Sequence, residues 1–186
     1  MKMSNVNGPS PAIFVDRDGT LIEEVDHLSS VDDLRIFPFT REALEIFKAR
    51  GVRVIVLTNQ SGIARGYFTE GSMQAIHDKI KAELGTLVDS FYFCPHLPDA
   101  GCSCRKPNVG MIEAASEDFE IDLAGSWMIG DKRIDVETGQ NAGIGTALVL
   151  TGYGTVDQDR LAIEPTIVAK NLLEAAKLIV NGSAAH

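Results

Sequence analysis

Short apolar segments alternate along this chain with longer segments in which apolar residues recur at helical spacing. Residues 12–15 (AIFV) and 53–58 (RVIVLT) are largely apolar runs of the kind expected for strands buried on both faces of a sheet. Residues 40–49 and 70–84 carry the helical pattern, with Thr40 as the candidate amino-terminal cap of the first helix. Because strands that alternate with helices are joined by right-handed crossovers, the chain is predicted to be an α/β protein with a central parallel sheet and helices on both faces.

The alternation continues through the carboxyl-terminal part of the chain. Further strands are predicted at 91–93, 126–130 and 146–150, further helices at 109–119 and near 133–142, and a last strand and helix at about 165–181. The 186 residues are enough for one hydrophobic core and few for two, so we expect a single domain over residues 1–186 with its core at about 12–150. The longest candidate insertions, 22–38 and 60–70, are too short for a large cap domain.

Polar residues follow four of the predicted strands at the point where each strand ends. In parallel α/β sheets, ligands bind beyond the carboxyl ends of the strands, so these residues are expected to share one site. They are Asp16 and Asp18, Thr58 and Asn59, Cys94 and His96, and Asp131.

Composition limits the class of partner. The formal net charge is -9 and the chain has no basic block, which is unfavourable for binding the phosphate backbone of a nucleic acid. Residues 1–10 lack the apolar core of a signal peptide, and no segment approaches the roughly 18 apolar residues needed to cross a bilayer. We therefore expect a cytoplasmic monomer that binds a small molecule rather than a nucleic acid or a membrane.

The segment 16–20, with the sequence DRDGT, carries the clearest chemical signal. It directly follows a predicted buried strand, so Asp16 and Asp18 are expected to project toward the same pocket as the chain leaves the sheet. One carboxylate of such a pair can attack phosphorus while the other transfers protons. Gly19 suits the sharp turn. The alternative is a solvent-exposed turn whose acidic residues are incidental.

The DRDGT segment resembles the first motif of the haloacid dehalogenase (HAD) superfamily, whose other motifs follow in the expected order over roughly residues 12–150. The resemblance implies a Rossmann-like HAD fold and a Mg²⁺-dependent phosphatase that forms an aspartyl-phosphate. The catalytic residues that it implies are Asp16 as nucleophile, Asp18 as proton donor and acceptor, and Thr58 and Lys106 as ligands of the transferred phosphoryl group. The Mg²⁺ ligands that it implies are Asp16, the backbone carbonyl of Asp18 and Asp131, with Asp135 just outside them.

A second cluster of possible metal ligands has the pattern Cys94-x-His96-x5-Cys102-x-Cys104. Four soft or borderline donors in a short loop suit a closed tetrahedral Zn²⁺ site, which has a structural role because no coordination position is open. The metal would pin the loop that carries Arg105 and Lys106. The alternative is a buried thiol at Cys94 and an ordinary loop histidine at His96, since the spacing differs from the commonest zinc-finger pattern.

The motifs CPH, CxCRKP, TNQSGIARG and GDK together resemble the D-glycero-D-manno-heptose 1,7-bisphosphate phosphatase family. That family removes the 7-phosphate during synthesis of nucleotide-activated heptose, a lipopolysaccharide precursor. Arg65 offers an additional cation for a second phosphate or a sugar hydroxyl, although it could also be an ordinary solvent-facing arginine. The substrate contacts implied are Glu24, Val25, Asp26, His27, Asn59, Gln60, Ser61, Arg65, Arg105 and Lys132.

Two other functions stay open at this point. The first is histidinol-phosphatase, which the short zinc loop with CPHLP and CxCRKP also resembles, although the SGIARG run at 61–66 favours the heptose enzymes. The second is a non-catalytic phosphosugar-binding or zinc-dependent interaction module, because a fold alone does not determine a function. The presence of both Asp16 and Asp18 argues against this second alternative.

Overall fold

The computed structural model describes residues 8–182 of the chain, and each predicted apolar run forms a strand. The strands are β1 (Ala12–Val15), β2 (Arg53–Asn59), β3 (Ser90–Cys94), β4 (Trp127–Gly130), β5 (Gly145–Val149) and β6 (Ile167–Ala169). The helices are α1 (Thr40–Lys48), α2 (Glu70–Leu84), α3 (Gly110–Asp118), α4 (Arg133–Asn141), α5 (Gly154–Gln158) and α6 (Leu172–Gly182). Short 3-10 helices lie at Val31–Asp33, Gly85–Leu87 and Leu123–Gly125.

The strands form a six-stranded sheet in the order β3-β2-β1-β4-β5-β6. Each neighbouring pair is parallel, with Ile13 opposite Val54 on one side of β1 and opposite Trp127 on the other. The chain therefore moves outward from β1 in one direction and then in the other. The point where the order reverses lies between β1 and β4, and this is where α/β sheets of this type bind their ligands.

Apolar residues cover both faces of the sheet, as the fold prediction requires. Alternate residues of β1 point to opposite faces, with Ile13 on one side and Phe14 on the other. Ile13 belongs to a buried cluster with residues of α1, α2 and α6, whereas Phe14 belongs to a second cluster with α3. Each large side chain buried in this way contributes about 1.5–3 kcal/mol of transfer free energy. The predicted parallel sheet with helices on both faces is thus confirmed.

Two local details differ from the sequence prediction. Thr40 is the first residue of α1 rather than its cap, and the N-cap position is Phe39, whose side chain makes no capping hydrogen bond. The Thr40 hydroxyl donates instead to the carbonyl of Leu21 at 2.7 Å, so it fastens α1 to the loop after β1. The prediction also omitted α5, which has only five residues and begins at a glycine.

The two longest loops do not form a separate cap. The loop from residue 22 to 38 contains the 3-10 helix Val31–Asp33 and folds back on itself through a bridge between Ile22 and Ile36. Within the described part of the chain, no helix is long and apolar enough to cross a membrane. Most of the amino-terminal segment considered for a signal peptide, residues 1–7, lies outside the described residues.

Candidate active site

Three aspartates meet at the carboxyl end of the sheet. Asp16 follows β1, Asp131 follows β4, and Asp135 lies in the first turn of α4. One carboxylate oxygen from each lies within 4.8 Å of the others, and all three residues are buried. Buried carboxylates at this spacing repel one another, so the cluster requires positive charge.

Lys106 supplies part of that charge. Its Nζ donates to Asp16 Oδ1 at 2.7 Å, to Asp135 Oδ1 at 2.6 Å and to the carbonyl of Leu57 at 3.0 Å. Burial alone would lower the pKa of Lys106, but the carboxylates of Asp135 and Asp16 outweigh it and raise the pKa above its usual range. The ammonium group therefore stays charged and bridges two of the three aspartates.

Asp131 retains an oxygen without a partner. Its Oδ2 accepts the backbone N–H of Tyr153 at 2.8 Å, while its buried Oδ1 has no hydrogen bond among residues 8–182. Burial, together with the nearby charge of Asp16, raises the pKa of Asp131 to about 8. A buried, unpaired carboxylate oxygen beside a second carboxylate is the donor set that a hard divalent cation prefers, so these residues fit Mg²⁺.

Two glycines allow the chain to pass close to Asp131. A Cβ atom on Gly19 or on Gly152 would lie 2.3 or 2.2 Å from Asp131 Oδ2, and both residues have positive φ. The Thr151 hydroxyl donates to the carbonyl of Gly19 at 2.6 Å, which joins the loop after β5 to the loop after β1. Sequence reasoning missed the loop after β5, although its TGYG sequence (151–154) at a strand end was a usable signal.

Asp18 is held by the residue before it. The guanidinium of Arg17 donates to both carboxylate oxygens of Asp18 at 3.0 Å, and Gln60 Nε2 donates to Oδ2 at 2.9 Å. Burial on its own would raise the pKa of Asp18, but the charge and hydrogen bonds of Arg17 dominate and lower the pKa. Arg17 was not predicted as a site residue, because an arginine in a turn ordinarily faces solvent.

The end of β2 joins the two halves of the site. The Thr58 hydroxyl lies 3.4 Å from Asp18 Oδ2 and accepts a hydrogen bond from Gln60 Nε2 at 2.7 Å. Asn59 exchanges two hydrogen bonds of 3.1 Å with the backbone of Lys106. These contacts fix the loop that carries Lys106 against β2, so Asn59 has a positioning role as well as a place in the cavity wall.

A cavity of about 310 Å³ opens beside Asp18. Most of the predicted substrate contacts line it, namely Glu24, Val25, Asp26, His27, Asn59, Gln60, Ser61 and Lys132, together with Arg17, Leu28, Gly62 and Tyr153. Arg65 and Arg105 do not line it. Arg65 is exposed, and Arg105 donates to the carbonyl of His96 at 3.1 Å and lines a separate cavity of about 270 Å³.

Lys132 is held in the cavity wall by two neighbours. Its Nζ donates to Glu24 Oε2 at 2.8 Å and lies 4.8 Å from the centre of the Tyr153 ring. Burial would lower the pKa of Lys132, but the carboxylates of Asp16, Asp131 and Glu24 raise it. The cavity therefore presents a permanent positive charge beside the buried aspartates, as a phosphate-binding site requires.

The second predicted ligand cluster also comes together. The distances are 3.5 Å from Cys94 Sγ to His96 Nδ1, 3.6 Å from Cys94 Sγ to Cys102 Sγ, and 3.3 Å from His96 Nδ1 to Cys104 Sγ. The three cysteines form no disulfide. Tetrahedral Zn²⁺ with Zn–S bonds of about 2.3 Å places neighbouring sulfurs about 3.8 Å apart, so the donor atoms fit this ion.

Comparisons with known proteins identify relatives of this chain. A family model described as HAD-hyrolase-like matches residues 103–175. A probable D-glycero-D-manno-heptose-1,7-bisphosphate 7-phosphatase from Thermoplasma acidophilum is 43% identical over 136 residues, covering 71% of this chain and 85% of the relative. The D-glycero-D-manno-heptose-1,7-bisphosphate 7-phosphatase of Thermosynechococcus vestitus is 35% identical over 192 residues, covering 92% of this chain and 96% of the relative.

A solved structure is similar over most of the chain. The D,D-heptose 1,7-bisphosphate phosphatase from B. bronchiseptica, crystallised with magnesium and phosphate, superposes with a TM-score of 0.85. It is 34% identical, and the match covers 92% of this chain and 99% of that one. The similarity thus includes the fold as a whole, beyond the short motifs read from the sequence.

Proposed function

The chain belongs to the D-glycero-D-manno-heptose-1,7-bisphosphate 7-phosphatase family of HAD-like hydrolases, and we propose that it removes the 7-phosphate of this sugar through an aspartyl-phosphate on Asp16. One observation carries the proposal. A buried lysine, Lys106, bridges Asp16 and Asp135 next to the unpaired oxygen of Asp131, at the base of a polar cavity. This arrangement combines a nucleophile with the charges that a phosphate dianion needs.

Mg²⁺ is the catalytic cofactor in this proposal. Asp16, Asp131 and the backbone carbonyl of Asp18 would hold it, with Asp135 fixed just outside them by Lys106. When bound, the ion supplies positive charge that offsets the carboxylates and draws in the oxygens of the phosphate.

The first half of the reaction is transfer of the phosphoryl group. A carboxylate oxygen of Asp16 attacks phosphorus, the bond between phosphorus and the sugar oxygen breaks, and Asp18 donates its proton to that oxygen. The incoming phosphate dianion repels the Asp18 carboxylate and favours its protonation, which opposes the effect of Arg17. Lys106 holds an oxygen of the transferring group once one of its three present hydrogen bonds is released, and the Thr58 hydroxyl holds another.

The second half of the reaction is hydrolysis. Water attacks the phosphorus of the aspartyl-phosphate and gives a proton to Asp18, and the bond from phosphorus to the Asp16 oxygen breaks. Inorganic phosphate leaves, Asp16 regains its carboxylate, and Asp18 again carries the proton that it held in the substrate complex.

The remote phosphate and the sugar hydroxyls require further contacts. Lys132 is the lysine in the cavity wall, and release from Glu24 would free its ammonium for an anion. Arg105 adjoins Lys106 in the same loop, and Arg65 lies in the loop that follows Ser61. We propose that these three cations, together with the residues that line the cavity, recognise the substrate at a distance from the reacting phosphorus.

Substrate preference tests this proposal. We expect kcat/KM for heptose 1,7-bisphosphate to exceed that for histidinol phosphate, because only the bisphosphate has a second anion to occupy these cations. Arg105→Ala should lower kcat/KM for the bisphosphate by about 10- to 100-fold, the value of one charge-assisted hydrogen bond. Its effect on p-nitrophenyl phosphate should be small, because that ester has no remote phosphate.

Arg133→Ala is the matched control, since Arg133 is exposed and pairs with Glu137 on its own helix. The assay uses both the α and the β anomer of heptose 1,7-bisphosphate. A higher kcat/KM for histidinol phosphate would overturn the substrate assignment and leave the aspartyl-phosphate chemistry standing. Absence of turnover with every ester would instead favour a non-catalytic binding module.

We also propose that Cys94, His96, Cys102 and Cys104 hold a structural Zn²⁺. Two observations support this site: the four donor atoms lie within 4.8 Å of one another, and the three cysteines form no disulfide. The same loop leads directly into Arg105 and Lys106, so the metal fixes the segment that delivers the buried ammonium. A short loop with little hydrophobic core gains stability from such a cross-link.

Metal analysis of the purified protein should give about one Zn²⁺ per chain that survives removal of Mg²⁺. Cys102→Ser should lose most of this zinc, lower the melting temperature and reduce kcat/KM through displacement of Lys106. Ser103→Ala is the control, because Ser103 lies between two ligands and its side chain is exposed. Zinc-free protein with wild-type stability and activity would contradict the site.

A further inference from the structure

One buried histidine has no part in the chemistry described so far. His77 lies on the inner face of α2, where the other buried residues are Met73, Ile76, Ile80 and Leu84. Its ring stacks on Phe91 with centroids 4.6 Å apart, and the residue is 2% exposed. A polar ring in an otherwise apolar stripe needs a partner, because burying an unpaired polar group costs free energy.

That partner is Arg17. The Arg17 guanidinium donates through Nε and Nη2 to Asp18, and its Nη1 lies 3.2 Å from His77 Nε2. Arg17 is 1% exposed, so in the folded protein its guanidinium depends on protein acceptors rather than on bulk solvent. Among the described residues, Nη1 makes its hydrogen bond to His77.

The imidazole acts here as an acceptor. Burial lowers the pKa of His77 to about 3, and the positive charge of Arg17 adds to this effect. A neutral ring with its proton on Nδ1 presents the lone pair of Nε2 to Arg17, whereas a protonated ring would repel the guanidinium.

We propose that His77 is a positioning residue for proton transfer: it fixes the plane of the Arg17 guanidinium, and that plane fixes the carboxylate of Asp18. The inference rests on the proposed function, in which Asp18 protonates the leaving oxygen. The guanidinium is planar and rigid, with its N–H donors in a fixed arrangement. A shift of Nη1 away from His77 therefore turns the whole group, including Nε and Nη2, which donate to Asp18. Without His77, Arg17 would turn toward another acceptor and carry Asp18 away from the leaving group.

Leaving-group dependence separates this role from a purely structural one. Loss of the leaving phenolate from phenyl phosphate depends on protonation, whereas p-nitrophenolate is a stable anion and departs without a proton. For His77→Leu we expect kcat/KM for phenyl phosphate to fall about 10- to 100-fold, and that for p-nitrophenyl phosphate by less than about threefold. His77→Gln, whose amide oxygen can accept from Nη1, should restore the first value to within about threefold of wild type.

Ile76→Val is the matched control, because Ile76 is also buried on α2 and lies next to His77 in the chain. It should leave the ratio of the two kcat/KM values unchanged. If His77→Leu does not fold, His77→Asn replaces it, since its shorter amide does not reach Arg17. Equal losses for both esters, or no recovery in His77→Gln, would overturn the inference while leaving the proposed function intact. A wild-type protein that hydrolyses no phosphate ester would overturn both.

Discussion

Replacement of Asp16 by Asn is expected to lower kcat by about 10⁴-fold or more, because the amide retains the shape of the side chain but is not a nucleophile. The change also removes a proposed Mg²⁺ ligand and the negative partner of Lys106. The fold should survive, since Lys106 keeps its contacts with Asp135 and the carbonyl of Leu57. Steady-state turnover of the bisphosphate, with circular dichroism and thermal melting on the same preparation, measures both effects.

Asp159→Asn is the control for the loss of one negative charge, because Asp159 is exposed and lies outside both clusters. It should keep wild-type turnover. Acid-quenched wild-type protein should carry a covalent phosphoryl group, and Asp16→Asn should carry none. The intact mass of the variant verifies the substitution. If that verified variant has near-normal turnover, the aspartyl-phosphate mechanism is wrong.

The sequence predicted β1 to β5 and α1 to α4 closely, because each strand is a short apolar run that ends at polar or glycine residues. Residues 12–15 match β1 at both ends, and residues 70–84 match α2 at both ends. The cap assignment of Thr40 was wrong, since its hydroxyl reaches the carbonyl of Leu21 instead of a helical N–H. A contact nineteen residues away has no local signal.

In the site, too, local sequence patterns could be predicted, whereas contacts between distant segments could not. Asp16 and Asp131 follow predicted strands, so the sequence predicted that they lie at one edge of the sheet, and the structure places them together there. The contact between Arg17 and His77 was not predicted, since it joins segments 60 residues apart in the chain. The sequence does contain a signal for His77, because this polar residue falls within the apolar stripe of α2, next to Ile76. A polar residue in such a stripe is worth testing as a partner for a buried charge.

Lys106→Met is expected to have the second large effect, on both activity and stability. The ammonium group bridges two buried carboxylates, so its removal leaves Asp16, Asp131 and Asp135 without their internal cation. Loss of one partner from a buried ion pair costs about 3–5 kcal/mol, which should appear as a reduced free energy of unfolding in Mg²⁺-free buffer. Loss of a charged phosphate ligand should lower kcat/KM by about 10²- to 10³-fold.

Mg²⁺ distinguishes this charge effect from a simple packing defect. In Lys106→Met the cluster is more negative, so added Mg²⁺ should raise the melting temperature more than it does in wild type. Lys48→Met is the matched control, because Lys48 pairs with Asp89 at 2.6 Å near the opposite, amino-terminal end of the strands. That variant should lose some stability without a change in kcat or in the Mg²⁺ response. If Lys106→Met retained more than about a tenth of wild-type kcat/KM, Lys106 would not be the cation that holds the transferring phosphate, and Lys132 would take that role.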